Sequence, residues 1–400
     1  MTQNTSAQPL IHGGAQTPRA ALPVLPPLAL YIHIPWCVRK CPYCDFNSHT
    51  AGPALPEEAY VDALLADLDQ DLHAVYGREL SSIFFGGGTP SLFSAPALGR
   101  LLEGVQARIP FAEDIEITLE ANPGTFEQDK FKAYRQLGIN RLSIGVQSFQ
   151  QAKLQALGRI HDGGEAVRAA GMAQAAGFDN FNLDLMHGLP GQSLEEALGD
   201  LRQAIDLGAT HLSWYQLTLE PNTVFWNQPP VLPEDDILWD IQEAGQALLA
   251  EQGFAQYEVS AYARPGRAAR HNLNYWSFGD FIGIGAGAHG KLSYPDGRIL
   301  RTWKTRLPKD YLNPAKPFQA GEKRLPLDEL PFEFLMNALR LTNGVDAQLF
   351  TERTGVPLAQ LDSARREAEQ KGLLRVEPQR LVATPRGQLF LNDLLQYFLT

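Results

Sequence analysis

The sequence predicts an α/β protein in which a parallel sheet curls into a partial (β/α)6 barrel, followed by a smaller, winged-helix-like helical domain at the C-terminus. The chain has 400 residues and is 44% hydrophobic, so it can bury a large core and favours one large domain with a smaller one. From Leu28 onward, short apolar runs alternate with longer amphipathic segments in six units. Such alternation is typical of right-handed βαβ crossovers, and an ordinary doubly wound sheet is the alternative.

The domain boundaries follow shifts in composition. Residues 1–27 are rich in Pro, Ala, Gln and Thr and show no periodicity, which predicts a disordered leader. We expect the barrel over 28–255, an aromatic and glycine-rich extension with a Pro-rich linker over 256–317, and the winged-helix-like domain over 318–400.

The individual elements are predicted from hydrophobic periodicity. The apolar runs that indicate barrel strands are 28–34, 82–85, 115–120, 141–146, 181–186 and 212–217. The helical patterns between and after them are 57–75, 126–137, 163–176, 194–207 and 235–252, and a further strand pattern covers 257–262. The last region indicates three short helices, a hairpin at 373–383 and a closing helix.

Charge and hydropathy exclude several classes of protein. The chain carries 34 basic and 45 acidic residues, a net charge of −11, which argues against non-specific binding to nucleic acid. In 327–400 ten acidic residues outnumber eight basic ones, so the winged-helix pattern favours a packing or partner role over DNA binding. No apolar run reaches the roughly 20 residues of a membrane span, and no secretory signal is present, so we expect a cytoplasmic protein.

Polar residues follow several of the predicted strands, at or near the point where each strand ends. They are 86–89, Glu120, Gln147, Asp184 and Gln216. In parallel barrels, functional sites lie at the carboxyl ends of the strands. The alternative is that polar residues merely mark strand ends, but five groups on one face favour a site.

All three cysteines of the chain, Cys37, Cys41 and Cys44, lie within eight residues directly after the first strand. An odd number of crowded thiols argues against a disulfide framework. Three thiolates can bind three irons of a 4Fe-4S cluster and leave the fourth iron open to another ligand. A Cys3His zinc site, with His33 or His49 as fourth ligand, is the alternative.

The segment from Tyr31 to Cys44, with Tyr43 before the last cysteine, resembles the cysteine motif of the radical SAM superfamily. More closely, the chain from Leu28 to its C-terminus resembles the oxygen-independent coproporphyrinogen III oxidase family. The resemblance implies a 4Fe-4S cluster and S-adenosylmethionine, whose amino and carboxylate groups would bind the open iron.

The resemblance also implies which residues contact S-adenosylmethionine. Gly87, Gly88 and Thr89 match a glycine-rich turn beside the methionine amino group. Glu120 matches a carboxylate at the same polar end, and Arg159 matches the partner of the cofactor carboxylate. The remaining matches are Gln147 and Asp184 at the ribose, and the aromatic contacts Tyr31 and Tyr43.

Two departures favour the HemW-type heme chaperone branch of this family over the true coproporphyrinogen dehydrogenases. The dehydrogenases have another cysteine two residues after the third cluster ligand, where this chain has Phe46, and they have a longer N-terminal segment. We therefore expect a protein that binds heme and transfers it to an acceptor protein, which could be a membrane protein met transiently. The alternative is a radical enzyme that decarboxylates coproporphyrinogen III.

The segment His271-Asn-Leu-Asn-Tyr-Trp276 matches a motif of the chaperone branch. His271 offers an imidazole to heme iron, and the two aromatic residues offer flat faces to the porphyrin. The alternative is a hydrogen-bonded core histidine beside packed aromatics. His187 and His289 lie in segments expected near the barrel mouth and are alternative iron ligands.

Overall fold

The computed structural model describes residues 21–22, 24–125 and 128–399, so most of the predicted leader lies outside the described residues. In chain order the strands are β1 Leu28–Ile34, β2 Trp36–Cys37, β3 His49–Thr50, β4 Leu80–Gly87, β5 Phe111–Ala121, β6 Arg141–Gln147, β7 Phe181–His187, β8 His211–Gln216, β9 Ala255–Glu258, β10 Ala261–Ala263, β11 Asp280–Ile284, β12 His289–Ser293, β13 Ile299–Lys304, β14 Gln319–Arg324, β15 Val345–Asp346 and β16 Arg380–Leu381.

The helices cover the predicted amphipathic segments and several others. In chain order they are α1 Glu57–Asp71, α2 Ala95–Gln106, α3 Gln128–Gln136, α4 Gln151–Ala156, α5 Gly163–Ala175, α6 Leu194–Asp206, α7 Val224–Asn227, α8 Asp235–Glu251, α9 Arg270–Trp276, α10 Pro308–Tyr311, α11 Leu330–Ala338, α12 Gln348–Thr354, α13 Asp362–Gln370, α14 Pro385–Leu389 and α15 Leu391–Gln396. The starts of α5 and α6 are fixed by capping boxes, Asp162 with Glu165 and Ser193 with Glu196, which satisfy backbone N–H groups of the first turn.

The core of the molecule is one open sheet of twelve strands in the order β14-β13-β12-β11-β1-β4-β5-β6-β7-β8-β10-β9. The strands from β11 to β8 are parallel, and those at both edges are antiparallel. The predicted α/β class with a parallel barrel-type sheet is therefore confirmed. Because parallel strands point the same way, their carboxyl ends form one edge of the sheet.

The edges of the sheet differ from the prediction. The single strand expected at 257–262 is the hairpin β9 and β10. The expected linker at 307–317 contains α10, whose Tyr311 is buried against Asp67 of α1, and β14 extends the large sheet past the expected boundary at 317. Local composition indicated a linker because three prolines lie there, but tertiary contacts attach the segment to the main sheet.

The C-terminal region has a second hydrophobic core. Its centre is formed by Phe334, Phe350 and Leu394. Phe278, in the turn after α9, and Ile299 of β13 join it. The C-terminal region consists of the five helices α11 to α15 and the short antiparallel strand pair β15 and β16. A bridge between Leu374 and Ala383 closes the predicted hairpin. In the part of the chain that the structure describes, no helix is both long and apolar enough to cross a membrane.

Candidate functional site

The three cysteines lie on a loop that leaves the carboxyl end of β1. The short parallel pair β2 and β3 joins the two ends of this loop, with Cys37 opposite Thr50. A backbone hydrogen bond from Cys44 to the Cys41 carbonyl (3.2 Å) folds the loop on itself. All three thiols are free and half-buried, and burial raises the pKa of Cys37 and Cys44.

The glycine-rich turn after β4 packs directly under this loop. Gly88 N–H donates to the Ile34 carbonyl (2.8 Å), and Thr89 N–H donates to the Trp36 carbonyl (2.7 Å). A Cβ on Gly88 would lie 2.7 Å from the Trp36 carbonyl carbon, and one on Gly87, where φ is +117°, would lie 2.6 Å from the His33 ring. Both positions therefore require glycine, which lets the turn lie close against the start of the cysteine loop.

The loop and the strand ends enclose a cavity of about 440 Å³. Eleven of the predicted site residues line it: Cys37, Cys41, Tyr43, Cys44, Gly87, Gly88, Thr89, Glu120, Gln147, Arg159 and Asp184. They come from the cysteine loop, from four strand ends and from the turn after α4, so only the folded sheet brings them together.

Two carboxyl groups at the cavity have no cationic ion-pair partner among the described residues. The pKa of Glu120 is raised to about 8, first by burial and then by the charge of Asp184, while a hydrogen bond from the N–H of Gly87, 3.1 Å away, acts to lower it. Burial likewise raises the pKa of Asp184, whose carboxylate accepts from Ser143 (2.9 Å) and Asn182 (2.8 Å). Such a pair favours a ligand that brings positive charge.

Two other polar side chains that line the cavity have unused hydrogen-bonding capacity. Arg159 donates to the Gly145 carbonyl (2.6 Å) and contacts Cys41 Sγ (3.5 Å), while its Nε has no partner among the described residues. Gln147 ends β6 with a positive φ of 68°, and its buried Oε1 is also unpaired within that part of the chain. Orphaned buried polar atoms that face a cavity are typical of a ligand site.

The zinc alternative fits these residues less well than a cluster. Both nitrogens of His33 are within hydrogen-bonding distance of protein oxygens, the Tyr31 hydroxyl and the Asn47 carbonyl, at 2.9 Å each. His49 lies 3.3 Å from the Asn47 side chain. Within 21–22, 24–125 and 128–399, no three His, Cys, Asp or Glu side chains converge on a point where one metal ion could bind. A cubane places its irons at separate corners, so its thiolates need not converge on one point.

Two predicted site residues do not line the cavity. The hydroxyl of Tyr31 contacts His33, and its ring stacks on Phe84 with centroids 6.3 Å apart. His271 is 3% exposed, its Nδ1 lies 2.9 Å from Ser82 Oγ, and its Nε2 has no partner among the described residues. Ser82 lies near the start of β4, so His271 is at the opposite end of the parallel strands from the cysteines.

Sequence reasoning missed part of the cavity wall. Met186, Tyr215, Thr218 and Glu220 line it from the ends of β7 and β8 and from the segment that follows. The signal available was Gln216 at the end of a strand, which also lines the cavity, but apolar and aromatic wall residues resemble core residues in a sequence.

A parallel sheet with three cysteines in a loop after its first strand defines the radical SAM class, and the radical SAM superfamily model matches residues 31–204. The HemN C-terminal domain model matches residues 325–390. The chain is 56% identical to the heme chaperone HemW of Escherichia coli over 94% of its length and 99% of that protein, and 53% identical to the one of Haemophilus influenzae over 95% and 100%. The chain therefore belongs to the HemW family.

Among solved structures, coproporphyrinogen III oxidase (HemN) from Escherichia coli, a radical SAM enzyme, has the same fold. The TM-score is 0.79 at 23% identity, over 96% of this chain and 92% of that one. At this identity the likeness concerns the fold and not the reaction.

Proposed function

We propose that the protein is a heme chaperone, which binds heme and transfers it to an acceptor protein. The observation that carries the proposal is the 56% identity, over nearly the whole of both chains, to a protein named as a heme chaperone. The cytoplasmic location and the division into a barrel, an extension and a smaller C-terminal domain belong to the same proposal.

The second part of the proposal is that Cys37, Cys41 and Cys44 hold a 4Fe-4S cluster. The three free thiols at one cavity support it, because binding to iron stabilises the thiolate form that burial alone disfavours. When bound, a reduced cluster with S-adenosylmethionine on its open iron can supply radical chemistry.

The cavity groups would bind S-adenosylmethionine by charge and shape. This ligand carries a sulfonium charge, and the two carboxyl groups of Glu120 and Asp184 favour positive charge. Its amino group would bind the open iron as the neutral amine. The guanidinium of Arg159 is suited to the cofactor carboxylate. Gln147, Thr89 and Tyr43 also line the cavity. Tyr31 does not line it, so its role would be indirect, through its contact with His33.

Coproporphyrinogen III decarboxylation is the second candidate, because the HemN C-terminal domain model matches residues 325–390. Phe46, which stands where the dehydrogenases have a cysteine, lines the cavity mouth and is 62% exposed. A phenyl ring at this position supplies neither a thiol nor a proton, which favours the chaperone.

The cluster is tested by anaerobic reconstitution. We expect about four irons and four sulfides per chain, and an EPR signal that S-adenosylmethionine perturbs through the open iron. Cys41→Ala should abolish the perturbation. Stoichiometric zinc without sulfide in protein purified without oxygen would refute the cluster.

The chaperone function is tested by parallel anaerobic assays of the reconstituted protein with heme and with coproporphyrinogen III. We expect stable heme binding and no turnover of the porphyrinogen. Multiple turnovers in the presence of reductant would instead make the protein a dehydrogenase.

A further inference from the structure

Basic and imidazole groups cluster beside the cysteine loop, although the whole chain is acidic. His289 begins β12 at the carboxyl end of the sheet and is exposed. His49, at the end of the cysteine loop, is half-buried, and Arg306 and Lys40 are exposed. The charged groups that act on the two imidazoles are all basic: Arg306 on both, Lys40 on His49 and Arg301 on His289.

One side chain ties the segments of this cluster together. The amide of Asn47 donates to the Ala286 carbonyl (2.8 Å) and to the Arg306 carbonyl (2.9 Å), and its Oδ1 lies 3.3 Å from His49 Nε2. The cysteine loop, the turn before β12 and the end of β13 are therefore held at fixed positions relative to one another.

The register of the outer strands places an aromatic residue next to His289. His289 pairs with Trp303 of β13, and Trp303 pairs with Gly321 of β14. Side chains of directly paired residues lie on the same face of a sheet, so the imidazole and the indole are neighbours. Gly321 adds no side chain to this row, and a Cβ there would collide with the Trp303 ring.

The surroundings of both imidazoles favour the neutral form, which is the form that binds metal. Desolvation, and then the neighbouring cations, lower the pKa of His49 and of His289. A neutral imidazole keeps a free lone pair at neutral pH, which is what a heme iron requires of an axial ligand.

We propose that heme docks on this surface, with His289 as axial ligand of the iron, Trp303 beside the porphyrin and Arg306 and Lys40 facing the propionates. The inference rests on the proposed heme-binding function and assigns it to residues other than the buried motif histidine. The ligand class is an iron tetrapyrrole with anionic side chains. The site adjoins the cysteine loop and is separate from the cavity, since none of its imidazoles lines that cavity.

The other candidate ligands are enclosed. His271 packs between Phe84 and Tyr275, at centroid distances of 5.1 and 5.0 Å, and Tyr275 in turn packs on Phe281 at 4.2 Å. His187 is 1% exposed and lies against Trp214 at 4.2 Å. A porphyrin could reach either imidazole only if these aromatic contacts opened, whereas His289 is already at the surface.

The test is a heme titration of the full-length, cluster-loaded chain, followed by Soret absorption. We expect His289→Ala to lose the Soret shift of the imidazole-bound species and Arg306→Glu to weaken binding several-fold, with iron and sulfide content unchanged. The matched control is His73→Ala, because His73 is exposed but does not belong to the proposed heme surface. It should titrate like the wild type.

Metal-free protoporphyrin IX separates the two roles. Its binding should weaken in Arg306→Glu but not in His289→Ala, since it has propionates and no iron. If His289→Ala and Arg306→Glu both bind heme like the wild type, this site is wrong while the chaperone function stands. If only His271→Ala loses heme binding, the iron ligand is instead the motif histidine in α9. A wild-type chain that binds no heme would refute the proposed function itself.

Discussion

At the scale of single residues, the most distinctive feature of the cavity is a pair of carboxyl groups, Glu120 and Asp184, whose negatively charged form is disfavoured by burial. Glu120 is the second-last residue of β5 and lines the cavity, and its pKa is raised from 4.5 to about 8 by burial and then by Asp184. Between these pH values the folded protein keeps a proton that the unfolded chain has released. The contribution of Glu120 to the free energy of unfolding therefore falls as pH rises through this range.

Replacing Glu120 by Gln should remove this pH dependence, because the amide resembles the protonated acid. In the protein without cofactor we expect Glu120→Gln to be more stable than the wild type at about pH 8.5, by on the order of 1 kcal/mol or more, and equally stable near pH 4.5. Thermal unfolding at several pH values measures this. The same variant should bind S-adenosylmethionine more weakly. A stability difference between Glu120→Gln and the wild type that stays the same over this range would contradict the assignment.

Asp184 and Arg159 should affect cofactor binding but not the cluster. Each offers a charged contact, so Asp184→Ala and Arg159→Ala should each cost about 1.5–3 kcal/mol of S-adenosylmethionine affinity, with unchanged iron content. Calorimetry of the reconstituted protein measures the loss. Arg202→Ala is the control, since Arg202 pairs with exposed Glu195 and does not line the cavity. Unchanged affinity in both cavity variants would remove these residues from the cofactor site.

At the scale of elements, the cysteine loop depends on the turn after β4. Gly88→Ala should displace Trp36, because the new Cβ would lie 2.7 Å from its carbonyl carbon, and we expect a loss of about 1–3 kcal/mol in stability together with reduced cluster loading. Gly171→Ala is the control: in helix α5 nothing lies within 4 Å of its new Cβ, and alanine favours the helix. Normal iron and sulfide content in Gly88→Ala would show that the loop tolerates the shift.

The barrel strands could be predicted from sequence because burial on both faces gives them continuous apolar runs. β1 was predicted at its observed bounds, and its seven residues are almost all buried. The strands β11 to β14 were not predicted. Gly283, Gly285 and Gly287 fall in the expected glycine-rich extension, but Gly283 is in β11, where a Cβ would collide with the His289 carbonyl. The close approach of two strands gives no signal in the local sequence other than the glycine itself.

Most of the residues that line the cavity could be predicted from the sequence, but the burial and direction of each side chain could not. Strand-end polar residues indicated the cavity because parallel strands share one edge, whereas Tyr31 and His271 were matched by motif alone. A motif names the residue but not the direction of its side chain. His271 donates its backbone N–H to Glu116 (3.1 Å) and turns its ring inward, which only the fold decides.

At the scale of the whole molecule, buried ion pairs join segments that are far apart in the sequence. Lys304 of β13 contacts Asp67 (2.6 Å) and Asp71 (2.9 Å) of α1, and Asp67 also accepts from Tyr311 (2.7 Å). Both Lys304 and Asp67 are almost wholly buried, at 1% and 0% exposure. This cluster fastens the outer strands, on which the proposed heme surface lies, to the first helix of the barrel.

Breaking this cluster at one partner should destabilise the whole fold. Lys304→Met leaves Asp67 buried without its cation, which costs about 3–5 kcal/mol for a pair of this kind. The exposed pair of Lys316 with Asp310 is the control, since Lys316→Met should change stability by no more than about 1 kcal/mol. Urea denaturation measures both. The double variant Lys304→Met with Asp67→Asn should recover part of the loss, because it removes the uncompensated charge while Tyr311 can still donate to the amide oxygen. If Lys304→Met unfolds at the wild-type urea midpoint, the cluster does not hold the outer strands in place.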